Sequence, residues 1–513
     1  MHRPVWLERM LLRALCALIL SVALAGCAGS IQPVSHGPAI PVVAEPDAFL
    51  QGQSQARGAT GLPRVTLLNT GQKALLTRAA LIETANQRID AQYYIWNDDT
   101  SGRYLASRLL AAAERGVVVR LLLDDINITG KESLFAQLDA HPNILVRIFN
   151  PVSAREGFGQ WLSFVTDFDR INRRMHNKTF VVDGLVGIAG GRNIGDEYFD
   201  QHPTLNFRDR DVMVLGDLAG DMTSNFEAYW NSAWTLPLKQ LYQNPQPSGS
   251  GARALVAPEG LKAPVPGDRE AARDYLKTLF AGMVSAPAEL VFDAPPKNPE
   301  APANEPKRTA EVLFRLLDEV ESEILIESAY LILTDEQLQE VGEAAGGQVD
   351  VAALTNSLAS NDLVTNHSGY ARWRGAMLKQ GMELYELRPD AQGCQRWMAV
   401  TSACGNGGVS LHSKAVVLDR KTLFIGSFNV NQRSIYLNGE TALVIRSPEL
   451  ASAVARDIRY AMESGNSWQV QLDGDGEMVW SSGEEEFYHE PEVGFWRRAM
   501  SRVLSWLPIE KYL

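Results

Sequence analysis

Cysteine is scarce in this chain, with four residues in 513. Cys16 and Cys27 lie at the extreme N-terminus, so only Cys394 and Cys404 remain for the folded body. Two thiols ten positions apart in an exported chain favour a disulfide over metal ligands, with two reduced thiols as the alternative. Basic charge is also short: 48 Lys and Arg stand against 61 Asp and Glu, a formal net charge of −13. Such a balance argues against non-specific nucleic-acid binding, where Lys and Arg must neutralise phosphates. Low hydrophobicity is not a feature either. At 45% hydrophobic and 21% charged residues, wholesale disorder is excluded.

What is present begins with a short apolar run, "LLRALCALILSVALAG", preceded by arginines and ending in small residues. It is short for a membrane span and reads as an export signal over 1–26, an uncleaved anchor helix being the alternative. "LAGC" at Leu24–Cys27 resembles the lipobox of bacterial lipoproteins, which implies lipidation at Cys27. Ala28 resembles the residue found in lipoproteins sent to an outer membrane, so the expected location is the cell envelope, lipid-anchored and facing the periplasm. Residues 27–60, rich in Pro, Gly, Ser and Gln, read as a flexible tether.

The chain is too long for one hydrophobic core, and its body divides into two similar stretches, 61–235 and 306–470. Each starts with a helical pattern and a strand, "RIDAQYYIW" in the first and "EILIESAYLI" in the second. Each continues with a buried apolar strand, "VVVRLLLDD" or "VDVAALTNS". Helices alternating with short apolar strands predict an α/β fold. Residues 236–305 read as an inter-lobe connector with a helix at "REAARDYLKTLFAGMV", and 471–513 as a tail with an amphipathic helix.

Both stretches carry the same polar segment, over about 170–197 and 406–433. In "MHNKTFVVD" it is His176, Lys178 and Asp183; in "LHSKAVVLD" it is His412, Lys414 and Asp419. Residues i and i+2 of a strand share a face, so each histidine projects with its lysine. Asp183-Gly184 predicts a hairpin turn returning small residues and Asn193 beside the histidine; Ser427 and Asn429 hold the matching positions in the second copy. Two imidazoles with two ammonium groups suit a phosphodiester. One ring attacks phosphorus, the other protonates the departing alkoxide, and the lysines with Asn193, Asn429 and Ser427 hold the phosphate oxygens. The cations are built in, so no metal or other cofactor is expected. Asp183 and Asp419 are catalytic candidates by motif, while their strand-end position equally fits turn formation.

On these residues the chain resembles the phospholipase D superfamily, whose signature is the duplicated His-x-Lys-x4-Asp segment. The resemblance implies two α-β-α sandwich lobes related by pseudo-two-fold symmetry, with one active site at their interface. It also implies a covalent phosphohistidine, with His176 as nucleophile and His412 as general acid, or the reverse. Acidic residues beyond each motif orient the histidines in that family, which points to Glu440 and to Asp209, with Asp211 competing. The surrounding sequence looks most like the bacterial cardiolipin synthase C branch. That implies headgroup exchange between phosphatidylglycerol and a second phospholipid, with hydrolysis as the alternative and a nuclease or non-catalytic tethered protein behind it. His367 is a candidate for headgroup contact, whereas His36, His141, His202 and His489 lack repeated context. Apolar residues from Phe158 to Phe168, and the face Phe495, Trp496, Met500, Val503, Leu504 and Leu507, suit either burial or a lipid surface. Arg170, Arg173 and Arg174 are expected to draw phosphate to the entrance.

Overall fold

The computed structural model describes residues 44–55, 61–152, 168–241, 255, 260–261, 266–297, 303–346, 349–398, 404, 408–507 and 510–513. The export signal, Cys27, His36 and the apolar stripe Phe158 to Val165 lie outside the described residues. Among the described residues, no helix is long and apolar enough to cross a membrane.

Among the described residues, two mixed sheets of nine and ten strands form the frame. At the centre of the first, the hairpin strands Thr179–Val182 and Val186–Gly190 run beside the parallel set Arg88–Tyr93, Val118–Asp124 and Ile144–Phe149. The second repeats this with Lys414–Leu418 and Thr422–Gly426 beside Glu323–Ser328, Asp350–Asn356 and Glu383–Leu387. These strands are almost wholly buried, as expected where helices cover both faces of a sheet. The helices Gly71–Thr84, Thr100–Glu114 and Arg269–Ala281 pack on the outer face of the first sheet, and Arg308–Leu317 and Val364–Lys379 on that of the second. Side-chain caps from Thr70, Asp99, Asp268 and Ser447 start four of the helices. Between the sheets, Val181, Ala189, Val212 and Val214 meet Val417, Leu423, Ile425 and Leu443 in one shared core with Asp217–Trp230 and Pro448–Met462.

The segment expected as a connector is more than a linker. Its helix packs Ala272, Leu276 and Phe280 into the first core, Val284–Ser285 joins the first sheet, and Ala288–Phe292 edges the second. Likewise the C-terminal region extends the second sheet with Met478–Ser482 and Glu485–Phe487. A disulfide links Cys394 to Cys404, with their Cα atoms 5.8 Å apart.

Candidate active site

Each His-x-Lys segment enters its hairpin strand at the seam between the lobes. Leu205–Arg208 of the first lobe pairs in parallel with Gly408–Leu411 of the second. His412 N–H then donates to Arg208 C=O at 2.9 Å, and His176 N–H donates to Gly439 C=O at 2.8 Å. These exchanged backbone bonds bring both motifs to one cleft.

The residue after each accepting carbonyl is an acid. The carboxylate of Glu440 meets His176 Nδ1 at 2.8 and 3.0 Å, and Asp209 Oδ2 meets His412 Nδ1 at 2.6 Å. Each histidine is therefore held by a carboxylate from the opposite lobe; the sequence named both acids but not which histidine each one meets. Asp211 is spent elsewhere, on Arg78 at 3.0 Å and Arg192 at 3.6 Å. With Nδ1 engaged, no hydrogen bond among the described residues takes either Nε2. The side chains keep only 9% and 8% exposure. Tyr94 stands edge-on to His176 at 5.0 Å between ring centroids, and Tyr198 stands likewise to His412 at 5.1 Å.

The lysines share the histidine faces as the strand period requires. Lys178 Nζ donates to His176 C=O at 2.7 Å, and Lys414 Nζ donates to His412 C=O and lies 3.1 Å from His412 Nδ1. Burial lowers Lys178 to about 7 and Lys414 to about 8, partly offset by Glu440 and Asp209. Burial also pushes His176 down to about 4 against the upward pull of Glu440. His412 falls well below its ordinary value through burial and the charges of Lys414 and Lys178. The carboxylates diverge. Burial works to raise Glu440, but His176, Lys178 and Ser427 keep it below the usual range, whereas burial leaves Asp209 above it despite Lys414 and Arg192.

Several expected phosphate contacts are otherwise engaged. Ser427 donates its hydroxyl to Glu440 Oε2, so it steadies the acid. Asn193 takes Ile95 N–H at 3.1 Å and donates to Tyr198 Oη at 3.0 Å. Asn429 is buried with its Oδ1 unpartnered. Asp183 and Asp419 are corrected from chemistry to architecture. Both adopt positive φ at the hairpin turns, 53° and 52°, roughly 20 Å along the strand from the histidines. Asp183 accepts from the backbone N–H groups of Asn86, Gln87 and Arg88, and Asp419 from those of Glu321, Ser322 and Glu323. His367 is fully buried in the helix Val364–Lys379 and its imidazole held down at about 3 by burial, so it offers no surface to a headgroup. Arg174 is also enclosed, paired with Asp124 at 2.9 Å, and Arg170 donates to Asn150, so both are engaged in contacts within the first lobe.

Sequence reasoning missed the residues that anchor the strands leading into the histidines. Asp124 accepts Met175 N–H at 2.9 Å, and Asn356 accepts Leu411 N–H at 2.8 Å. The signal was there: each is the polar residue ending the repeated apolar strand. Also missed was the seam network in which Arg208 and Arg210 share Glu327 and Asp457.

The chain is 40% identical over 449 residues to cardiolipin synthase C of Escherichia coli (strain K12), covering 85% of this chain and 93% of that protein. It is 24% identical over 444 residues to the cardiolipin synthase of Oceanobacillus iheyensis, covering 86% and 74%. Among solved structures, phosphatidylserine synthase of Haemophilus influenzae Rd KW20 aligns with a TM-score of 0.56 at 15% identity, over 90% of this chain and 100% of that one, a likeness of fold. A family model described as "Cardiolipin synthase, PLD-like domain" matches twice, at 79–230 and 313–462, one match in each lobe and one His-x-Lys pair in each match. The chain belongs to this cardiolipin synthase branch of the phospholipase D-like family.

Proposed function

We propose that the chain is a phosphatidyltransferase of the cardiolipin synthase type, exchanging phospholipid headgroups between phosphatidylglycerol and a second phospholipid. The observation that carries this is the pair of Nδ1-anchored imidazoles, each oriented from the opposite lobe, with a buried lysine beside each. In the first step His176 Nε2 attacks phosphorus, the P–O bond to one alcohol breaks, and His412 delivers a proton to that oxygen. In the second, His412 takes the proton from an incoming hydroxyl, whose oxygen displaces His176. Lys178 and Lys414 neutralise the non-bridging oxygens as charge gathers there. The anionic phosphodiester also favours a protonated His412, whose charge burial and the two lysines otherwise disfavour. His176 as nucleophile is supported by its partner. Glu440 accepts from Ser434 at 2.8 Å and Asn438 at 3.3 Å besides Ser427, which keeps it ionised and His176 electron-rich.

A lipid surface as partner is supported by the helix Phe495–Leu504. Arg497 and Arg498 turn inward to Asn361 C=O and Glu490 C=O, while Phe495, Trp496, Met500, Val503 and the following Trp506 stand 53–80% exposed. An outward face of Trp, Phe and Met suits the interface of a bilayer. With the lipidated Cys27, it would hold the enzyme on the membrane of the cell envelope, the outer one on the periplasmic side.

The test is incubation of the mature chain with vesicles of labelled phosphatidylglycerol. Cardiolipin and glycerol are expected, and phosphatidic acid alone would make the enzyme a hydrolase. In the same assay, Trp496→Ser with Trp506→Ser should lower co-sedimentation with the vesicles. Unchanged co-sedimentation would remove the docking role of this helix.

A further inference from the structure

The lobes match in register up to the cleft and then part. Thr179 pairs with Gln92 in the first sheet as Ala415 pairs with Glu327 in the second, which sets Ile95 and Tyr330 at equivalent positions three residues on. Ile95 is apolar. Tyr330 instead donates its phenol to both oxygens of Asp362, at 2.9 and 3.0 Å. Nothing in the duplicated chemistry requires this pair.

Its place in the fold is fixed from three sides. Tyr330 lies two residues beyond Ser328, which pairs with Lys414. Asp362 lies in the loop after Asp350–Asn356, and Asn356 binds both N–H and C=O of Leu411, the residue before His412. Arg497 of the C-terminal helix donates to Asn361 C=O at 2.5 Å and holds the loop from outside. The residue keeps surface open to solvent, yet its surroundings raise the proton affinity of the carboxylate through burial, offset in part by the Tyr330 phenol and by Lys414, and its charge also bears on Tyr198 beside His412. An ionised carboxylate has about four acceptor sites and no donor, so Asp362 retains capacity for groups arriving from the cleft.

We propose that Asp362, clamped by Tyr330, is a headgroup-recognition subsite on the His412 side, binding hydrogen-bond donors of the alcohol that enters or leaves there. The proposal rests on the transferase reading, in which that alcohol exchanges its proton with His412. A carboxylate repels a second phosphate, so the group it takes is a hydroxyl, as on a glycerol headgroup, or an ammonium, as on an amino alcohol.

The experiment uses the full chain on phosphatidylglycerol vesicles with three soluble acceptors: labelled glycerol, ethanolamine and 1-propanol. Propanol has the reacting hydroxyl and no second donor. Asp362→Asn is expected to lower the preference for glycerol or ethanolamine over propanol about tenfold or more, the loss of one charge-assisted hydrogen bond. Tyr330→Phe, which keeps the carboxylate and frees its orientation, should shift the same ratio by less. A change confined to glycerol identifies a hydroxyl ligand, and one confined to ethanolamine an ammonium ligand. Unchanged ratios, or equal losses towards all three alcohols, overturn the subsite. Absence of transfer to any acceptor by the unaltered chain overturns the transferase reading itself, a distinct result.

Discussion

In the first lobe the strand leading to His176 is anchored by an ion pair, Arg174 with Asp124, while in the second the strand leading to His412 is anchored by an amide, Asn356, beside Ser410. The backbone bond made is the same in both. The orienting acids differ likewise: Glu440 gathers Ser427, Ser434 and Asn438, whereas Asp209 is supported chiefly by Arg210 N–H at 2.7 Å. Duplication has therefore preserved the geometry that delivers each ring to the cleft and let the electrostatics around it diverge. A phosphoryl exchange needs that divergence, because one imidazole must act neutral and the other must carry a proton.

The largest expected effect separates the two rings. His176→Asn and His412→Asn should each lower turnover by roughly 10²- to 10⁴-fold, but only His412→Asn should accumulate labelled phosphoenzyme after mixing with phosphatidylglycerol. His176→Asn has no nucleophile to label. Label retained by His176→Asn and absent from His412→Asn would reverse the assignment and, with it, the meaning drawn from the two carboxylates.

A smaller difference lies in the lysines. Both act as cations, so activity is lost as pH rises through their values, about 7 for Lys178 and about 8 for Lys414. In the free enzyme, kcat/KM should fall about tenfold per pH unit for each lysine that has lost its proton. On the acid side His176 stays neutral down to about 4, while His412, held well below the ordinary imidazole value by burial and by Lys414, gains its proton only in acid, so kcat/KM should keep rising as pH falls below neutrality. Lys178→Arg should move the onset of the alkaline fall from about 7 to about 8, and Lys414→Arg should leave it near 7. Identical onsets in the two variants would mean that the lysines titrate as one unit.

Much of this site was legible in the sequence because strand geometry is local. The i, i+2 spacing placed His176 with Lys178 and His412 with Lys414 on single faces, and the Asp-Gly pair marked the first hairpin; its counterpart uses Asp419 and Arg420, both at positive φ. Glu440 and Asp209 were reachable through the resemblance, and the structure distinguishes Asp209 from Asp211 by the partners each has. What the sequence could not reveal depends on contacts across the seam: which acid meets which histidine, the burial of Arg174, and the Tyr330–Asp362 pair. Composition also misled. The Pro-rich run 236–305 looked like a linker, yet its amphipathic helix and two short strands complete both sheets, since a covered sheet edge needs only a few residues.

The turn aspartates give the finest comparison, because the motif is identical and the surroundings are not. Asp183 is buried, and its carboxylate holds three N–H groups while Asp47 N–H approaches at 3.4 Å. Asp183→Ala should lower stability by about 1–3 kcal/mol, since those donors lose their partner in a part-buried place. Asp419 binds an equivalent set at the surface, where water can replace it, so Asp419→Ala should cost less. Burial opposes its charge, yet Ser322 and the backbone N–H groups hold it near 2, below the 3.8 of a free side chain. Its contribution is thus complete above about pH 4 and fades as pH falls towards 2. Denaturant melts at pH 7 and at pH 3 should show the Asp419→Ala deficit shrinking in acid. The kcat of whatever remains folded should stay close to that of the unaltered chain in both variants. A collapse of kcat without loss of stability would return these aspartates to the chemistry.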